Sequence, residues 1–171
     1  MINKNELLFV VNADNNPSEP KPRHEVHSNG YWHRVSHIWI INSRKEILCQ
    51  KRSLLKDMNP GKWEPFFGGH MGPNEAYIAN AKNELQEELG ITVEEKDLQQ
   101  FMIYKNVHSN EFQGIHYFFW NGDIVSLQLE KEEVDEVKWM SIKDLYETVV
   151  TKQDKNWSIM GYEKELLDHL A

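Results

Sequence analysis

Three glutamates, Glu84, Glu87 and Glu88, stand at relative positions i, i+3 and i+4. On a helix turning about 100° per residue they share one arc of about 100°. Like-charge pairs at this spacing each cost roughly a few tenths of a kcal/mol. Two arrangements tolerate such a cluster: a solvated acidic face, or a shared hard cation such as Mg²⁺, which takes carboxylate and carbonyl oxygens and keeps several waters. Gly68-Gly69 stands ahead of the cluster. A glycine turn there lets a backbone carbonyl approach the same ion without a Cβ in the way. Ions so held would offset negative charge and lower the pKa of a bound water.

A helix that holds out an acidic face must be anchored by another. Ile78, Ala81, Leu85 and Leu89 form that stripe, about 120° from the acidic centre. Pro73, Asn74 and Glu75 read as the helix start, with Asn74 as N-cap, and Gly90 as its stop. Upstream, residues 6–11 are a short β-prone run and residues 12–22 a Pro-rich extended loop. Residues 33–42 read as a strand, 46–52 as the returning strand, 53–62 as a loop and 63–67 as a short apolar strand entering the glycine turn. Residues 98–107, 112–120 and 134–140 are further strands; Ser141 caps a helix to about residue 150, and residues 157–170 form a terminal helix. This order predicts one α/β domain over residues 1–171, a mixed sheet with helices packed on it, preceded within residues 1–32 by a strand and loop extension.

The balance of the chain narrows its partners. Its 171 residues, 40% hydrophobic and 27% charged, suit one soluble globular domain with a core of its own. No apolar run approaches the roughly 20 residues that span a bilayer, and the start carries no secretory pattern, so no membrane partner is expected. The single Cys49 rules out an internal disulfide and suits the cytoplasm. A net charge of -8 argues against nucleic-acid binding, which needs a basic surface. An anionic small substrate is compatible only where metal ions or a local basic patch offset the repulsion. Oligomeric state stays open, a homodimer included.

From Gly69 the chain reads G-x5-E-x7-N-E-L-Q-E-E-L-G-I. This resembles the Nudix box, G-x5-E-x7-R-E-U-x-E-E-x-G-U with U a bulky aliphatic residue. The matches are Gly69, Glu75, Glu84, Leu85, Glu87, Glu88, Gly90 and Ile91, and Asn83 stands where the family has arginine. The resemblance implies the Nudix fold, a mixed β-sheet sandwiched between α-helices, and hydrolysis of a small organic or nucleoside diphosphate with Mg²⁺ or Mn²⁺. It makes Glu84, Glu87, Glu88 and the Gly69 carbonyl the metal ligands, with Glu84 also a candidate base. Related hydrolases recruit a base outside the box, for which Glu111 and Glu133 are the candidates. Glu75 is expected to support the loop. An arginine at position 83 would pair with Glu87; asparagine brings a hydrogen bond without charge, which predicts weaker metal affinity.

From Leu7 to about Leu145 the chain looks like the Nudix branch related to type I isopentenyl diphosphate isomerase, a resemblance carried by residues 20–34, 50–63, 68–70 and 133–145. There, three histidines and glutamates hold a metal, while a cysteine and a glutamate move protons. By that resemblance His27, His33 and His70 fall near the histidines, Glu111 near a glutamate, and Arg52 and Lys56 at the diphosphate-holding basic positions, with His70 beside the substrate. Gly68 replaces the cysteine, and the box keeps all its glutamates; both differences favour hydrolysis over isomerisation. A diphosphate-binding sensor with weak catalysis is the third reading, kept open by Asn83. Plainer readings stand beside these. His27 and His33 can be ordinary loop or strand-edge residues, His37 a packed one, Arg52 and Lys56 a solvated edge, and Glu133 part of a solvated charge run. Tyr117, Phe118, Phe119 and Trp120 read as mainly core, and some of them, with Trp32, Phe67 and Trp157, are candidates to line the substrate pocket.

Overall fold

The computed structural model describes residues 5–171. Its centre is a strand, β3 (His33–Ile41), whose end Ile38-Trp39-Ile40-Ile41 is apolar without interruption. Such a run belongs to a strand covered on both faces. Ile38 and Ile40 pack with Ala81, Leu85 and Leu89 of helix α2 (Tyr77–Leu89). Trp39 and Ile41 pack with Leu145, Leu166 and Leu167 on the opposite side. The expected stripe of α2 is therefore its buried face. Each fully buried leucine of it contributes about 1.5–3 kcal/mol.

In chain order, β1 (Leu7–Leu8) pairs with β2 (Lys21–Pro22), and α1 (Arg23–Asn29) follows. After β3 come β4 (Glu46–Arg52) and β5 (Trp63–Glu64), then α2, β6 (Gln99–Asn106), β7 (Glu111–Phe119) and β8 (Val134–Ser141). α3 (Ile142–Tyr146), extended by a π-type turn at Glu147–Thr151, and α4 (Glu163–Leu170) close the chain. β3 runs parallel to β7 from His33↔Glu111 to Ile41↔Phe119, whereas β4 is antiparallel to β8. β3 and β4 meet at Ile41↔Ile47 and then diverge. The sheet is mixed and lies between α2 on one face and α3 and α4 on the other, the expected α/β sandwich.

Between the diverging strands runs the segment that enters α2. It pairs with β4 at Gln50↔Glu64, then crosses to β3 through Ile38↔Phe67 and Val35↔His70. Gln50 Nε2 donates to the Phe66 carbonyl at 2.6 Å at the crossing.

Four expectations fail locally. The N-terminal extension is more than strand and loop, since Arg23–Asn29 is helical and ends on Gly30 in a left-handed conformation. Asn74 does not cap α2: its φ is +62°, and Ala76 occupies the cap position with no side-chain bond. Glu75 thus precedes the helix. The terminal helix begins at Glu163, because residues 157–162 take an irregular path with Gly161 at φ +109°. Among the described residues, no helix is long and apolar enough to cross a membrane.

Candidate functional site

A cavity of about 700 Å³ opens where β3 and β4 separate, and most of the candidate residues reach it. Gly68 and Gly69 form its floor. Gly68 has φ +131°, and a Cβ there would lie 2.0 Å from the Ser36 carbonyl oxygen. A Cβ on Gly69 would meet Glu84 Oε1 at 2.5 Å. Both positions therefore require glycine, one for its backbone and one to seat a carboxylate. The Gly69 carbonyl accepts Ser36 N–H at 3.0 Å, so one of its lone pairs is already engaged.

α2 brings its acidic arc to this floor. Glu88 is buried and accepts Gly68 N–H at 3.2 Å; Glu84 is half-buried and Glu87 exposed. Burial, then Glu87 and Glu133, push the Glu84 carboxyl up to about 8. Burial, then Glu84 and Glu133, raise Glu88 well above the carboxylate range. Lys56 opposes both shifts, but its ammonium is already paired with Glu133. Glu133 is thus part of the cluster and not of a solvated charge run. Glu75 stands outside it: it accepts Gly72 N–H at 2.9 Å and Asn80 Nδ2 at 3.1 Å, which holds the loop before α2. Asn83 donates to Glu75 at 3.1 Å, not to Glu87 as expected. Because Glu75 precedes the helix, its carboxylate folds back over the first turn and reaches position 83.

A second donor set adjoins the cavity, which His70 and Glu111 of that set line. His27, His33 and His70 offer ring nitrogens within 4.8 Å of one another. α1 carries His27, β3 starts with His33, and His70 pairs back onto β3 at Val35. The parallel register then sets Glu111 beside His33, with Oε1 3.6 Å from Nε2. His33 Nδ1–H donates to the Tyr31 carbonyl, so Nε2 faces Glu111 buried and without a hydrogen-bond partner. Burial opposes ionisation of Glu111, but His33 and the Gln113 amide outweigh it and hold the carboxyl at about 2. Burial chiefly, with neighbouring positive charge, lowers His27 and His70. Arg23 Nη1 donates to His70 Nδ1 at 3.0 Å, and His70 and His27 meet through their Nε2 atoms at 3.0 Å.

The basic candidates are in the cavity but engaged. Arg52 pairs with buried Glu64 at 3.0 Å, and Lys56 with Glu133. Arg23, which sequence reasoning passed over inside a supposed loop, is a third cation on the lining. Trp32, Phe67 and Trp157 do not line it. Trp32 packs on Phe112, Phe67 is sealed beneath α2 and Trp157 stacks on Trp63. The apolar lining comes instead from Val35, Met58, Phe66, Ile159 and Met160. Phe66 rather than Phe67 faces in because successive residues of an extended segment point to opposite sides. His37, read as merely packed, also lines the cavity. Cys49 is fully buried, which pushes its thiol upward and makes it inert core.

Comparison with known proteins places the chain in a family. The chain is 30% identical over 145 residues to Nudix hydrolase 3 of Arabidopsis thaliana, matching 78% of its own length but only 19% of that protein's. It is 30% identical over 159 residues to an uncharacterized Nudix hydrolase of Clostridium acetobutylicum, covering 87% of this chain and 76% of the relative. The isopentenyl-diphosphate Delta-isomerase of Serratia proteamaculans is 29% identical over 154 residues, covering 88% and 84%. A Deinococcus radiodurans crystal structure superposes with a TM-score of 0.77 over 96% of this chain and 99% of that one, at 16% identity, which shows the shared fold. The NUDIX domain family model matches residues 30–159, from just before β3 to the far wall of the cavity. By that match and by its relatives, the chain belongs to the NUDIX domain family and is an enzyme of the Nudix hydrolase kind.

Proposed function

We propose that the chain is a divalent-metal-dependent hydrolase that cleaves the diphosphate linkage of a small organic or nucleoside diphosphate by attack of water on phosphorus, acting in the cytoplasm. The observation that carries the reading is the cluster of Glu84, Glu88 and Glu133 around a side-chain-free glycine floor. Two carboxylates that burial pushes toward protonation, with one lysine to offset three acids, form a hard-oxygen donor set short of positive charge. That chemistry fits Mg²⁺ or Mn²⁺. Glu84, Glu87 and Glu88 would hold the metal, which when bound neutralises the diphosphate and acidifies a water. Of the outer candidates for base, Glu111 is the poorer proton acceptor, since its carboxyl is held at about 2. Glu133, beside Glu84 and Glu88, is the better placed. Arg52, Lys56 and His70 would contact the diphosphate, with Arg52 and Lys56 exchanging their carboxylate partners for phosphate oxygens.

One observation favours an isomerase instead: the ring nitrogens of His27, His33 and His70 converge within 4.8 Å of one another beside Glu111, a set suited to a metal. Against it, the floor has no room for a cysteine at position 68. A panel of diphosphates with Mg²⁺ or Mn²⁺, read by phosphate release and proton NMR, separates the readings. Hydrolysis that Glu88→Gln abolishes supports ours. Double-bond migration without phosphate release sinks it, and tight metal-dependent binding with no turnover of any compound would make the chain a sensor.

A further inference from the structure

His37 lies midway along β3 with its ring stacked on Phe66, centroids 4.0 Å apart and planes 16° from parallel. It is 7% exposed and lines the cavity. Its Nδ1 meets the Tyr162 hydroxyl at 2.9 Å, and the same oxygen receives Trp39 Nε1–H at 3.2 Å. An indole N–H can only donate. The fully buried Tyr162 hydroxyl bonds no other group among the described residues. Were His37 Nδ1 to donate as well, the phenol proton would be left unpaired in the core, an arrangement proteins avoid. The chain of donors therefore runs from Trp39 to Tyr162 to His37. Burial keeps the ring neutral at physiological pH, with a pKa pushed down to about 4. A neutral imidazole whose Nδ1 accepts carries its proton on Nε2, and among the described residues Nε2 has no partner in the protein.

The geometry points to His37 as the residue that selects the organic group of the substrate. Its Nε2–H is a fixed, uncharged donor on a lining it shares with Val35 and Phe66, with Arg52 and Glu111 close enough to act on the ring and already paired with Glu64 and with His33 and Gln113. It recognises an uncharged acceptor, a carbonyl oxygen or an imine-type ring nitrogen, so the group carried by the diphosphate is oxygenated or heterocyclic rather than a bare hydrocarbon chain. The charged phosphate oxygens have Arg52, Lys56 and the metal. Tyr162 acts through His37 as a positioning residue, fixing which ring nitrogen bears the proton. This inference rests on the reading of the cavity as a diphosphate site.

Non-hydrolysable alkyl methylenediphosphonates in matched pairs test it, with a ketone oxygen replacing a terminal methylene at the third, fifth or seventh carbon. Binding to the full chain with Mg²⁺ is read by calorimetry. At least one ketone should bind about 10-fold or more tightly than its hydrocarbon twin, since a site built around a hydrogen bond rejects the analogue that lacks it. His37→Phe, which keeps the ring stack, should erase that preference. Tyr162→Phe should narrow it, and decides the matter if His37→Phe does not fold. No ketone preference in the wild type, or a preference that survives His37→Phe, overturns the inference. Hydrolysable versions of the same compounds keep the two readings apart. Ketone-selective binding without phosphate release ends the hydrolase reading alone, and phosphate release without selectivity ends this one alone.

Discussion

Position 68 shows how one residue type can decide between two chemistries. With φ at +131° and the Ser36 carbonyl oxygen where a Cβ would stand, any side chain there must push β3 aside. Gly68→Cys is expected to destabilise the chain by about 2 kcal/mol or more, lowering the melting temperature by several degrees, without creating double-bond migration detectable by NMR. A cysteine variant that melts like the wild type would show that the floor is more pliable than this. Glu88 is legible at the same scale. Its carboxylate is buried among other acids, so Glu88→Gln should raise the melting temperature in a metal chelator while cutting metal-dependent turnover about 100-fold or more. A variant that loses activity and also melts lower in chelator would count against a strained acidic cluster. Glu84, Glu87 and Glu88 could be read from spacing because a helix fixes their angular relation. His37 could not, because its role depends on Tyr162, 125 positions away.

At the scale of elements, α2 was legible from its stripe and its Gly90 stop, and its beginning was not. Asparagine both caps helices and tolerates positive φ, and at position 74 the second property is the one used. That moved Glu75 off the helix and turned Asn83 toward it. Asn83→Arg should therefore strengthen the Glu75 contact while bringing positive charge toward Glu87, and the metal concentration for half-maximal activity should fall several-fold. No change in metal dependence would mean that position 83 acts only on the loop. The helix α1 was hidden by Pro20 and Pro22, which read as an extended loop. Yet a proline immediately before Arg23 and Gly30 after Asn29 are ordinary helix boundaries. Those boundaries put Arg23, which lines the cavity, and His27 on one short helix.

Across the whole molecule, the two acid groups pull stability in opposite directions with pH. Glu84 titrates near 8 in the metal-free fold against 4.5 normally, so its stabilising contribution is complete below about 4.5 and is lost as pH rises through 8. Glu111, held at about 2, contributes above about 4.5 and loses that contribution as pH falls toward 2. Metal-free protein should melt highest near pH 5 and progressively lower toward pH 8, and Mg²⁺ should raise the melting temperature more at pH 8 than at pH 5. Equal metal effects at both pH values would detach the metal from the glutamates. The cavity also joins distant stretches of chain: His27 with His70, Lys56 with Glu133, and His37 with Tyr162. Domains emerge from the ribosome N-terminus first, at about 5–20 residues per second. A growing chain therefore displays its acidic helix for several seconds before Tyr162 arrives to orient the opposite wall. Under the proposed reading, the acidic floor of the site is synthesised before the residue that sets its selectivity.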